Sequence, residues 1–135
     1  MMDVGRHPNI KLLTNSEVIK LKGKAGKFKA TVKKHARFVD EIECTACGDC
    51  EEVCPVLLPN EFDEGLGQRK AIFSPFAQSV PAAFIRYADD CLGTNPIACG
   101  RCAEVCQKQC IDLDMQDEII ELDVGSVICA TGIAV

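Results

Sequence analysis

Apolar and polar residues alternate with period two at several places along the chain, and each alternation predicts a strand. The clearest is Phe28-Lys29-Ala30-Thr31-Val32-Lys33, with its lysines on one face and its apolar residues on the other. Glu17 to Lys22, containing Val18, Ile19 and Leu21, precedes it, and Gly23-Lys24-Ala25-Gly26 between the two supplies a turn with two glycines. A hairpin over 17–34 follows from this pattern. Two strands alone bury too little to be stable, so the hairpin needs further partners. Ile10 to Leu13 predicts another short strand, as do Ile111-Asp112-Leu113-Asp114-Met115 and residues 118–124. The apolar stretch Val127-Ile128-Cys129 reads as a last strand, running into the small-residue turn Ala130-Thr131-Gly132. Between these lies a spacer over 55–90, punctuated by Pro55, Pro59, Pro75 and Pro81, with short helices expected around 61–66 and 81–88. The mixture predicts an α+β fold.

Composition narrows the class. With 135 residues the chain suffices for one domain or a small domain with flanks, and its 47% hydrophobic content argues against disorder. No apolar run approaches the roughly 20 residues that span a bilayer. The opening Met1-Met2-Asp3-Val4-Gly5-Arg6 lacks the apolar core of a signal peptide, so the expectation is a soluble, cytoplasmic protein. The net charge of −5 conceals a split: residues 1–37 hold ten Lys/Arg against two Asp/Glu, and residues 38–135 hold five against eighteen. The basic stretch invites a nucleic-acid reading, but its lysines alternate with apolar residues as on the wet face of a strand, and no nucleic-acid role is expected.

Ten cysteines change the picture most. A secreted disulfide framework is one way to use so many, but tight clustering and the absence of a leader point to metal-bound thiolates in a reducing compartment. The first group is Cys44-x2-Cys47-x2-Cys50-x3-Cys54-Pro55, which matches the bacterial ferredoxin run at every spacing. A cubane cluster has four iron corners, each needing one thiolate. Cysteines two residues apart let a tight loop wrap three of them, and small residues such as Ala46 and Gly48 let backbone N–H groups approach the sulfides. The second group, Cys91-x7-Cys99-x2-Cys102-x3-Cys106, departs from that spacing. Pro96 stands where a cysteine would be, and Cys91 must return across a loop containing Gly93, Asn95 and Pro96. Gln107 replaces the usual proline after the last cysteine. A second [4Fe–4S] cluster is expected there, with a three-iron cluster or a weakly filled site as its rivals. Zinc in a cysteine-rich structural or interaction module is the other way to read the cysteines, although zinc sites usually show two separated pairs.

The two groups are an internal repeat offset by 52 residues. Cys47–Cys54 and Cys99–Cys106 differ only at Asp49/Arg101 and Glu51/Ala103. Two-cluster ferredoxins have this two-fold symmetry, and their crossed pattern, carried over, gives Cys44, Cys47, Cys50 and Cys106 to one cluster and Cys91, Cys99, Cys102 and Cys54 to the other. Cys110 reads as a small buried side chain rather than a substitute ligand, and Cys129 as an inert strand residue. His7 and His35 read as surface residues.

The spacer is not that of a generic ferredoxin. The runs Cys47-Gly48-Asp49-Cys50-Glu51-Glu52-Val53-Cys54-Pro55-Val56, Pro59-Asn60-Glu61-Phe62-Asp63-Glu64-Gly65-Leu66-Gly67 and Arg69-Lys70-Ala71-Ile72-Phe73-Ser74-Pro75-Phe76-Ala77-Gln78-Ser79-Val80-Pro81 resemble the A-type subunit of heterodisulfide reductase, as does Met2-Asp3-Val4-Gly5-Arg6-His7-Pro8-Asn9-Ile10. That resemblance implies a flavoprotein similar to thioredoxin reductase with a bacterial-type two-[4Fe–4S] ferredoxin-like domain inserted in it. On this basis residues 1–35 are a hairpin stub of the FAD-binding domain, 36–115 the insert, and 116–135 the returning strand, with Ala130, Thr131 and Gly132 near FAD in the full-length protein. The Gly-x-Gly-x-x-Gly fingerprint is absent, so the chain reads as the insert with stubs of its host. The partners that the resemblance implies are ferredoxin, heterodisulfide reductase subunits B and C, and an electron-delivering hydrogenase or formate dehydrogenase, in methanogenesis. A related protein serves the quinone-interacting oxidoreductase of sulfate reducers.

Overall fold

A computed structural model describes residues 2–93 and 98–132. The chain divides into two compact units: the residues up to Thr14 together with Ala36–Gln116, and Asn15–His35 together with the residues from Asp117 on.

The second unit is a three-stranded antiparallel sheet. Strands β1 (Ser16–Lys24) and β2 (Lys27–Lys34) form the hairpin expected from their alternation, and β7 (Glu118–Val124) adds to the far side of β2. The turn between β1 and β2 carries Gly26 at φ 86°, and Gly23 sits where a Cβ would lie 2.1 Å from the Lys27 carbonyl oxygen. Both positions therefore need glycine. Buried Ala30 faces Leu21 and Leu122 across the sheet, and buried Val32 faces Val18 and Ile120. The same register brings basic β2 against acidic β7: Lys29 pairs with Asp123, and Lys33 lies 2.8 Å from Asp117. The opposite charges at the two ends of the sequence thus become cross-strand pairs. Asn15 clamps the base of the hairpin by accepting from the His35 N–H and donating to the His35 carbonyl.

The cysteine-bearing unit is built from short pieces. Helix α1 (Met2–Arg6) opens it, and helices α2 (Asp49–Glu52) and α3 (Arg101–Val105) follow the two cysteine loops and lie against one another. Strand β3 (Leu58–Pro59) pairs with β4 (Gln68–Arg69), and β5 (Ile72–Phe73) with β6 (Ile85–Arg86). A bridge joins Val39 to Ile111, with Asp40 N–H donating to the Cys110 carbonyl at 2.7 Å and Asp112 N–H to that of Phe38 at 3.1 Å. The core comprises Val39, Ala71, Ile72 and Phe84 with Cys50, Cys54 and Cys110. A unit this small, with thiols for much of its interior, has little apolar area to bury by itself.

Three buried arginines hold the spacer. Arg69 donates to Glu61 and Asp90 and stacks on Phe73 and Tyr87. Arg86 lies over the Phe38 ring and donates to the Gly93 carbonyl. Arg37 reaches the Ala83 carbonyl, Thr14 and Glu41.

Several expected elements take other forms. Residues 81–88 form no helix: the backbone around β6 is tied to other segments, Arg86 N–H to the Arg37 carbonyl and Tyr87 N–H to that of Ala71. The helix expected over 61–66 is one 3₁₀ turn, Glu61–Asp63, capped by the Asn60 side chain and ended by Glu64 and Gly65 at positive φ. Ile10–Leu13 and the stretch 127–132 are irregular and pair with no strand among the described residues. Ile111 keeps only its single bridge. Among the described residues no helix is long and apolar enough to cross a membrane.

Candidate metal centre

Local hydrogen bonds and left-handed turns shape the first cysteine loop. The Asp40 carboxylate accepts from the Ile42 and Glu43 N–H groups, and its carbonyl accepts from Cys44 N–H at 3.0 Å. Ala46 and Gly48 then turn the chain through left-handed backbone, φ 55° and 97°. The Gly48 carbonyl starts α2 by accepting from Glu51 and Glu52. The Gly100 carbonyl does the same for Ala103 and Glu104 at the start of α3. The sequence repeat is therefore a repeat of hydrogen bonding as well.

Around these loops the eight grouped cysteines surround two cavities. Cys44, Cys47, Cys50 and Cys106 line one of about 630 Å³, mouth included, walled by Val39, Phe84 and Ile111. Cys54, Cys91, Cys99 and Cys102 line another of about 340 Å³, walled by Val56, Ala71, Ile72 and Arg86. Cys54, from the first group, faces the second cavity, and Cys106, from the second group, faces the first. Cys91 reaches its cavity; the bulge expected at Asn95 and Pro96 lies outside the described residues. Among the described residues no group of three or more His, Cys, Asp and Glu converges as a single-ion site.

Burial governs the thiols. It pushes Cys50 up to about 12, with the neighbouring Cys44, Cys102 and Cys47 adding to the rise. Cys102 is raised by burial as well, with the nearby Arg86 charge opposing. Burial would raise Cys106 too, but hydrogen bonds from Cys110 and from the Lys108 and Gln109 backbone outweigh it and bring it down. Thiols held this high ionise when a cation supplies the compensating charge, so metal uptake here releases protons.

Two residues of the cavities have roles not expected from sequence. Cys110 lines the first cavity with its sulfur 3.5 Å from that of Cys106. Arg86 lines the second. The signal for Cys110 was its place four residues after Cys106; nothing in the sequence marks Arg86. Cys129, expected inside a strand, is exposed in irregular chain after β7, as are Ala130, Thr131 and Gly132.

No family model matches the chain. Over 132 residues, 98% of its length, it is 47% identical to the A-type iron–sulfur subunit of the CoB–CoM heterodisulfide reductase of Methanocaldococcus jannaschii. It is 51% identical to one of the corresponding A-type iron–sulfur subunits of Methanopyrus kandleri. To the A-type subunit of the H2:CoB–CoM heterodisulfide,ferredoxin reductase of Methanothermobacter marburgensis it is 46% identical. The chain is homologous to a segment of the A-type subunit of heterodisulfide reductase. It spans about a fifth of the length of these relatives, 19% in each case. Their heterodisulfide reductase names make them oxidoreductases that move electrons, and the iron–sulfur designation of two of them agrees with a segment this rich in cysteine.

Proposed function

We propose that this segment of a heterodisulfide reductase-like protein carries two [4Fe–4S] clusters and relays electrons between FAD, held elsewhere in the longer protein, and ferredoxin or the clusters of partner subunits. The observation that carries this reading is the division of eight thiols into four and four around two cavities, with Cys54 and Cys106 crossing between groups. Cys44, Cys47, Cys50 and Cys106 would hold the first cluster, and Cys91, Cys99, Cys102 and Cys54 the second. When bound, a cubane supplies a one-electron store whose potential ranges over about −700 to +450 mV with its surroundings. The chain's own part is to set those surroundings. Val39, Phe84 and Ile111 give the first cavity apolar wall, and Val56, Ala71 and Ile72 the second. Arg86 and Arg101 place positive charge at the second, while the first has Lys108 and Asp49 in its lining.

The sheet of β1, β2 and β7 fits the stub of a flavin-binding host. Val18 and Leu21, which share a face with Ala30 and Val32, stand exposed, as expected of a surface that further chain covers. Ala130, Thr131 and Gly132 are assigned to the neighbourhood of FAD in that host. Thiolates of this kind stay reduced in the cytoplasm, where we place the protein. Partners of the whole protein would be ferredoxin, heterodisulfide reductase subunits B and C, and an electron-delivering hydrogenase or formate dehydrogenase.

Anaerobic reconstitution tests the reading. It predicts about eight iron and eight sulfide per chain, since each cubane holds four of each, and a broad visible absorption that bleaches with dithionite. A chain that takes up zinc and no iron contradicts it.

A further inference from the structure

The first cavity holds one thiol too many. A cubane offers each of its four irons a single outside position, the other three being taken by sulfide, so four cysteines complete it. Cys44, Cys47, Cys50, Cys106 and Cys110 all line the space. Cys110 is placed there firmly: it is 8% exposed, its carbonyl accepts from Asp40 N–H at 2.7 Å, and Ile111 after it is bridged to Val39. A turn closed by Gln109 N–H on the Cys106 carbonyl, with Gln109 at φ 51°, folds Cys110 back beneath Cys106. The two sulfurs end 3.5 Å apart.

That distance decides which corner they serve. Two thiolates on one tetrahedral metal, each about 2.3 Å from it, stand about 3.8 Å apart, and ligands to different corners of a cubane stand farther apart than that. Sulfurs at 3.5 Å therefore reach for the same metal position, and only one of them can take it.

We propose that Cys106 and Cys110 are interchangeable ligands to one iron of the first cluster. The inference rests on the cluster reading above. In the exchange one Fe–S bond breaks and another forms at the same iron. The incoming thiol gives up its proton and the departing thiolate takes one up, so no electron moves and the charge of the site is unchanged. The hydrogen bond between the two sulfurs is a path for that proton. Among the described residues the second cavity has no counterpart, since Cys54, Cys91, Cys99 and Cys102 are its only cysteines.

The test compares wild type, Cys106→Ser, Cys110→Ser and the double variant, each as the 135-residue chain reconstituted without oxygen. Iron and sulfide are counted, and electron paramagnetic resonance distinguishes three-iron from four-iron clusters. Both single variants should keep about eight iron, and the double variant should fall to about seven or fewer with the signal of a three-iron cluster or an empty first site. Either single variant falling as far as the double overturns the proposal. So does a Cys106→Ser that neither folds nor takes up iron, with Cys106→Ala behaving alike, while wild type and Cys110→Ser do both. A wild type without iron removes the cluster reading itself, whereas an eight-iron wild type beside an iron-poor Cys106→Ser removes the exchange alone.

Discussion

Around the first cavity stand Cys44, Cys47, Cys50 and Cys106, with Cys110 in reserve and Asp49 and Lys108 in its lining; around the second stand Cys54, Cys91, Cys99 and Cys102, with Arg86 and Arg101 in the wall. The same eight-residue repeat builds one side of each. What differs comes partly from inside the repeat, where Asp49 lines the first cavity and Arg101 the second, and partly from outside it: from the turn after Cys106 in one case and from β6 in the other. The comparison teaches that duplicated ligand loops fix where metal can sit, while the positions at which they differ and the segments packed on them decide how each site behaves.

The largest effect should come from Cys50→Ser. Cys50 is buried in the core and lines the first cavity, so its loss should remove about half of the iron or more and lower the stability of the whole cysteine-bearing unit, because thiols of both groups pack in one interior. Hydrogen exchange should show that unit opening while β1, β2 and β7 change little. Equal loosening of the sheet would break the comparison between the two units.

Cys54→Ser comes next and sharpens the contrast between the cavities. It lies in the first cysteine group yet faces the second cavity, so its iron should be lost from the second site, leaving about seven or fewer irons per chain. If the first cluster is the one damaged, the crossing is wrong.

Arg86→Met removes the buried one of the two arginines that line the second cavity. The second cluster should then become harder to reduce, its potential falling by about 60 mV, a tenfold shift in a one-electron equilibrium, with the first cluster moving much less. Arg86→Lys keeps the charge and should restore most of the difference. A potentiometric titration followed by paramagnetic resonance reads both clusters, and equal shifts at the two would contradict the assignment of Arg86 to one of them.

The smallest effect concerns the spacer. Arg69 holds the Glu61 carboxylate down to about 2 through its hydrogen bonds. A carboxylate depressed on folding contributes stability that is fully present above its ordinary value near 4.5 and is lost as pH falls toward 2. Wild type should therefore melt slightly above Glu61→Gln at neutral pH, with the gap closing through that acidic window. Glu61 is exposed, so the difference should be small. It should reach the second cavity, because Arg69 continues directly into Lys70, which donates to the Cys54 carbonyl at 2.8 Å, and into Ala71 and Ile72 of the cavity wall.

The parts legible in the sequence were those written in local patterns. The hairpin and β7 announce themselves through alternation, and the cysteine loops through spacing. Elements that depend on distant partners were not legible. Residues 81–88 carry apolar spacing that suits a helix, but their backbone is claimed by Arg37 and Ala71, residues distant in sequence. Ile128 lies 89% exposed, in a stretch that pairs with no strand among the described residues. Arg37, Arg69 and Arg86 look like surface charges in the sequence and become buried struts only once Phe38, Phe73 and Tyr87 lie beneath the last two. Cys110 was visible as a cysteine, but its nearness to Cys106 depends on a left-handed turn at Gln109, which a glutamine gives little reason to expect.

The central claim is that two cavities, each lined by four of the eight grouped thiols, hold two cubanes. Native mass spectrometry of the anaerobically reconstituted chain tests it most directly. The account predicts a mass increment of two Fe4S4 units on the intact chain, with Cys54→Ser and Cys50→Ser each damaging a different one. A mass increment of zinc ions, or of one cluster that survives both substitutions, would contradict it.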